Sequence, residues 1–135
     1  MDSFVKNFIL MSIVYLALGA ALGMVMLCKG NPALVFVHAH LMLLGWVSMM
    51  IYGVGYHILP RFAGRLLKSR RAAVLQFWTA NAGLVGMLGF YLGSVYDPGA
   101  AAWKTLTAAS GAVEVFSIAL FFCNMAATLY SKPPA

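Results

Sequence analysis

Four long apolar stretches, each bounded by turn residues, dominate this chain. Runs of about 20 residues with few charges predict helices over about 7–28, 33–59, 72–96 and 101–129. Lys29-Gly30-Asn31-Pro32 ends the first, with Asn31 and Pro32 reading as the cap and first turn of the second. Pro60 closes the second, Asp97-Pro98-Gly99 parts the third from the fourth, and Lys132-Pro133-Pro134 stops the last. Tight links at 29–32 and 97–99 imply antiparallel neighbours. The expected fold is therefore all-α: an integral membrane four-helix bundle forming a single transmembrane domain over residues 1–135.

Composition strengthens this picture. The chain is 63% hydrophobic and 9% charged, with a mean hydropathy of +0.89, too apolar for an ordinary soluble domain. The first run, Phe8 to Leu27, outlasts the apolar core of about 7–15 residues found in secretory signals, and Asp2 spoils the basic start, so it reads as a retained helix. The net charge of +6 is unevenly placed. Arg61, Arg65, Lys68, Arg70 and Arg71 crowd the one longer link, Lys6 and Lys132 flank the termini, and only Lys29 and Lys104 fall on the other side. The positive-inside rule then places both termini and the link in the cytoplasm, in a multi-pass protein of the cell inner membrane. Such charge is topology, and no nucleic-acid partner is expected because aromatics do not interleave with a folded basic face.

Small residues recur at helical spacing: Gly19-x-x-x-Gly23 in the first helix, and Gly83, Gly86, Gly89 and Gly93 in the third. They let helices approach closely, within the unit or between copies, with internal packing the expected use. Cys28 and Cys123 are predicted near opposite membrane faces and cannot bridge within the chain.

The polar residues inside the apolar runs carry the candidate chemistry. All three histidines lie in "HAHLMLLGWVSMMIYGVGYHILP", residues 38–60. Imidazole in lipid needs a partner, because an unsatisfied polar group there costs several kcal/mol. His38 and His40 lie about two turns below the outer surface, and His57 lies roughly 26–28 Å further along. Residues two apart on a helix diverge by about 200°, so His38 and His40 face different neighbours. Two readings stay open: each ring bonds a hydroxyl or carbonyl of an adjacent helix, or each ligates a metal, with heme iron favoured over zinc or iron clusters because no carboxylate or thiolate lies nearby.

The segment "HAHLMLLGW…YHILPRF" resembles subunit I of the heme-copper oxidase and nitric oxide reductase superfamily, including the cytochrome cbb3-type oxidases. It is similar to the histidine-bearing second helix of that subunit, and at least as similar to the tenth, with its H-x-H near the outer end and H-x-x-P ending. The tenth-helix match implies that His38 binds a high-spin heme and His40 a low-spin heme; the second-helix match implies that His38 alone binds a low-spin heme. The family's twelve helices resemble three arcs of four, and this chain is one arc long. The resemblance therefore implies a membrane b-type hemoprotein acting in electron transfer or in binding a diatomic gas such as O2 or NO. It also implies a homo-oligomer, with a trimer favoured, sharing heme b at its interfaces, and an electron donor protein or a quinol as partner.

Departures from the pattern narrow that expectation. The family's paired His-His and its histidine followed by tyrosine are missing from the sequence, so a copper site and catalytic oxygen reduction are not expected. Symmetric copies offer only His38, His40 and His57 again. Glu114 is the sole intramembrane acid, about mid-bilayer, open either to a hydrogen bond with a neighbouring helix or to a proton relay. His57, beside Pro60 and Arg61, is expected at headgroup level. Met42, four residues beyond His38, lines the same face and reads as core or lipid filler, and Trp46, Trp78 and Trp103 read as interfacial belts or heme-edge packing. Two rival functions follow: an assembly or accessory membrane protein with structural histidines, and a proton or metal handler using His57 and Glu114.

Overall fold

The computed structural model describes residues 1–130 and is helical throughout, apart from short connections. Its four long helices are α1 (Ser3–Lys29), α2 (Leu34–Phe62), α3 (Arg70–Tyr96) and α4 (Ala102–Leu129). Each is long and apolar enough to cross a membrane, which makes the chain a multi-pass helical membrane protein. The Lys132-Pro133-Pro134 stop lies outside the described residues.

Two boundaries differ from expectation. Helix α1 begins at Ser3, ahead of the charge at Lys6, because Phe4 and Val5 are buried in the core and draw the helix with them. Pro60 does not close α2, which runs on to Phe62. So near a helix end a proline removes little, and the stop is built just beyond it: Gly64 takes φ +62°, its N–H donates to the Arg61 carbonyl (3.0 Å) and the Arg65 N–H to the Pro60 carbonyl (2.8 Å). Those two bonds are the paired bonds of a Schellman cap. At the other end of α2, the Asn31 side chain accepts from the Ala33 N–H (3.0 Å), so it forms a turn that delivers the chain into the helix three residues later.

The bundle is two antiparallel hairpins, α1 with α2 and α3 with α4, the second pair being the more extensively packed. Glycine sets both contacts. A Cβ at Gly45 would stand 2.7 Å from the Tyr15 side chain, and one at Gly83 would stand 2.7 Å from the Glu114 backbone nitrogen. Gly19 and Gly23 likewise face α2, meeting Met42 and His38, so the glycine stripe of α1 serves packing inside the chain. Gly89 alone of the α3 series meets nothing.

Between the hairpins, one half of the bundle is filled by edge-to-face aromatics: Phe4, Phe8, Tyr52, Tyr56, Phe77 and Phe121. The loop after α2 is tied down at this same end. The Asn124 side chain accepts from the Ser69 N–H (3.1 Å) and donates to the Ser69 carbonyl (2.8 Å), and Thr128 accepts from the Lys68 N–H (3.0 Å). The Asp2 and Arg70 side chains pair at 3.0 Å, gathering the start of α1 and the basic loop into one end of the bundle.

Candidate functional site

His38 and His40 sit one turn inside α2 at the end opposite the basic loop, and they do face different neighbours. His38 turns to α1: its ring lies over Gly23, where a Cβ would come within 3.1 Å, and its Nδ1 is 3.0 Å from the Gly19 carbonyl. Only a small residue at position 23 leaves room for the ring. His40 bonds within its own helix, its Nδ1 2.8 Å from the Phe36 carbonyl, and its ring packs on Phe36, which in turn stacks on Tyr91 of α3.

Both contacts fix the tautomer. A carbonyl oxygen can only accept, so Nδ1 carries a proton in each ring, and in the neutral imidazole Nε2 then keeps its lone pair. A metal-bound imidazole adopts this arrangement, its second nitrogen held by a backbone carbonyl. Beside His38 the surface of α1 forms an open apolar groove of about 520 Å³, walled by Ala20, Gly23, Met24 and Leu27. It opens on the outer surface of the bundle, since Ala20, Met24 and Leu27 are exposed.

Immediately below the histidines, Leu41–Ser48 winds as a π-helix. Its wider turn is reinforced by Ser48, whose hydroxyl donates to the Leu43 carbonyl five residues back (2.9 Å), and it carries Gly45 into the contact with Tyr15. Such segments often mark functional positions. Met42 is half-buried and packs its sulfur against Gly19 at the contact between α1 and α2. Trp103 lies across Gly93 and beside Phe90, whereas Trp78 is exposed on α3.

His57 stands apart from this pair. It is half-buried near the basic end, with the Arg61 guanidinium 2.6 Å from its Nδ1 and also donating to its backbone carbonyl. This is an i, i+4 pairing on one helix face and brings no third ligand.

A second polar site lies mid-bundle, where all four helices meet. Glu114 is 3% exposed and packs against Gly83, with Oε2 lacking a hydrogen-bond partner; Gln76 is fully buried with neither amide atom paired. The Tyr15 hydroxyl donates to Asn81 (2.7 Å), whose amide donates to the Phe77 carbonyl (2.7 Å). Ser117 donates to the Gln76 carbonyl (3.1 Å), and Glu114 lies within electrostatic reach of Tyr15 and Tyr52. The sequence singled out Glu114 but not its company. The signal was present in Gln76 and Asn81, two amides in the mostly apolar middle of α3. Three unpaired atoms in so dry a place call for water, a proton or a small polar guest.

Cys28 and Cys123 are both free and exposed. Among the described residues no three His, Cys, Asp or Glu side chains gather at one place. The chain matches no protein-family model, no curated protein and no solved structure.

Proposed function

We propose that this chain is a membrane b-type hemoprotein, holding heme iron through His38 and, on the opposite face, His40, and acting in electron transfer or in binding a diatomic gas. The observation that carries this reading is the pair of Nε2 lone pairs left free by backbone-anchored Nδ1 protons. Each histidine offers one donor atom, and a porphyrin, which brings four nitrogen ligands of its own, needs no more than one or two from the protein. When bound, heme would supply one-electron redox chemistry and an iron able to take a small ligand. The protein residues orient the imidazole, exclude water and present apolar walls. Of the two, His38 has the better-formed surroundings, with the groove along α1 beside it.

That groove covers one face only. A heme held there by His38 would be only partly enclosed by one chain, so copies of the chain, three in the arrangement the superfamily suggests, would share heme at their interfaces. An electron donor protein or a quinol would supply the electrons. Crosslinking in native membranes followed by heme staining tests this: stain is expected on dimer and trimer bands, and heme on the uncrosslinked monomer alone contradicts shared sites.

Orientation follows from the basic loop, which would lie in the cytoplasm with both termini, in the cell inner membrane. Cys28, in the last turn of α1, then faces outward. In a Cys123→Ser variant, a membrane-impermeant maleimide added to spheroplasts is expected to label Cys28; labelling only after lysis would reverse the topology.

A second reading has its own support in the mid-bundle cluster. Glu114 and the unpaired Gln76 amide suit a site that takes up a proton. His57 is too far toward the basic end to belong to it. If Glu114 carries protons, liposomes bearing the Glu114→Gln protein lose valinomycin-driven proton uptake, whereas His57→Ala liposomes keep it; equal fluxes from all three proteins remove Glu114 from any such role. An accessory role with structural histidines would use Nδ1 of each ring and leave both Nε2 atoms without purpose.

A further inference from the structure

The basic end of the bundle holds a cavity of about 180 Å³ whose wall includes Asp2, Tyr56, Arg61 and Arg65, with Pro60 and Leu67 as apolar surfaces. Two polar groups in this wall lack partners. Arg65 Nη1 is buried with no acceptor, and so is the hydroxyl of Tyr56, a residue only 4% exposed. Asn124 lies beside the Tyr56 hydroxyl and interacts with it, although no bond of good geometry joins them while Asn124 also bonds the Ser69 backbone at both its amide oxygen and nitrogen; Arg65 is therefore the donor in the wall with no acceptor near it. The other charges nearby are also engaged: Asp2 pairs with Arg70, and Arg61 donates to His57. A buried guanidinium nitrogen without an acceptor costs more than an ordinary unpaired group does, and the Schellman turn fixes the Arg65 backbone at this position.

What is missing is an anionic acceptor with more than one oxygen. Phosphate fits, because its oxygens take two bonds from the guanidinium fork and a third from a phenol. The surroundings favour phosphate on a lipid. The cavity lies where the apolar span of α2 gives way to the basic loop, at headgroup depth, and Phe62 and Leu66 are 85% and 83% exposed beside it, positioned to lie among acyl chains. We propose that this cavity binds the phosphate of an anionic phospholipid, with Arg65 and Tyr56 as its donors. The proposal is independent of the heme reading.

Native mass spectrometry of the purified, delipidated protein, titrated with phosphatidylglycerol or phosphatidylcholine, tests it. Wild type is expected to retain one phosphatidylglycerol per chain in preference to phosphatidylcholine. Arg65→Gln should weaken that retention roughly tenfold, in keeping with the loss of a charge-assisted pair, and Tyr56→Phe by less. Arg65→Lys should recover part of it, and Arg71→Gln, which removes an exposed charge in the first turn of α3 outside the cavity, should change little. Displacement of the lipid by millimolar inorganic phosphate would show that free phosphate is an equal source of the same group; failure to displace it assigns the site to lipid. Equal retention of the two lipids, or equal loss in Arg65→Gln and Arg71→Gln, overturns the proposal, the latter because it reduces the effect to diffuse attraction by the basic end of the bundle.

Discussion

His38→Ala protein, purified from cells supplied with excess heme, is expected to carry almost no heme while keeping its helix content. The His38 ring is held at Nδ1 by the Gly19 carbonyl, lies on Gly23, and borders the groove where a porphyrin would rest. Alanine removes the donor atom without disturbing the backbone that positions it. His40→Ala should lose less, because His40 bonds within its own helix and rests on Phe36 rather than beside a groove. Gly23→Ala offers a subtler check: its Cβ would come within 3.1 Å of the His38 ring, tilting the imidazole. Heme affinity is expected to fall by less than the roughly 10–100-fold that loss of a ligand's hydrogen-bonded support brings, because the ring need shift only slightly and keeps its bond to the Gly19 carbonyl. The pyridine hemochrome assay reads all three. Heme in His38→Ala at the wild-type level would remove His38 from the site.

The largest expected stability effect lies in the glycine series of α3, and it is graded. A Cβ at Gly83 meets the Glu114 backbone nitrogen at 2.7 Å, and backbone cannot swing aside. At Gly86 the obstacle is Ser110, whose hydroxyl at 2.7 Å can rotate aside and whose Cβ at 3.2 Å needs only a small shift, and at Gly89 there is nothing. Alanine at 83 should therefore cost about 3 kcal/mol through separation of α3 from α4, and at 86 about 1 kcal/mol. At 89 it should be neutral or stabilising, since alanine is the better helix former. Denaturation in mixed micelles, followed by circular dichroism, ranks the three. Should Gly89→Ala prove as damaging as Gly83→Ala, the α3 stripe would be packing against a second copy there.

How much of this was legible in the sequence follows from what each feature depends on. The four helices and their antiparallel order depend on runs of apolar residues and on Gly30, Asn31 and Asp97-Pro98-Gly99, which are local, and the structure has them within a few residues. The Schellman stop at Gly64 is local too, but Pro60, four residues earlier, is the stronger helix-breaking signal in the sequence. The π-helix at Leu41–Ser48 depends on how α2 meets Tyr15 through Gly45, a tertiary contact with no periodic signature. The divergence of His38 and His40 was legible because it is helix geometry. Their anchoring by the Gly19 and Phe36 carbonyls was not, since any backbone carbonyl can accept. The convergence of Gln76, Asn81, Glu114 and Tyr15 needed the register of four helices at once. Each was visible singly as a polar residue in an apolar run, and only the fold brings them together.

The central claim is that heme binds through the free Nε2 of a carbonyl-anchored histidine. Its most direct test is the dithionite-reduced minus oxidised absorption spectrum of the purified wild-type protein, expressed with excess heme, before and after carbon monoxide. Stoichiometric b-type bands that vanish in His38→Ala are the predicted result, with a carbon monoxide shift marking an open axial position. A wild-type spectrum without heme would contradict the claim and leave His38 and His40 as structural links between helices.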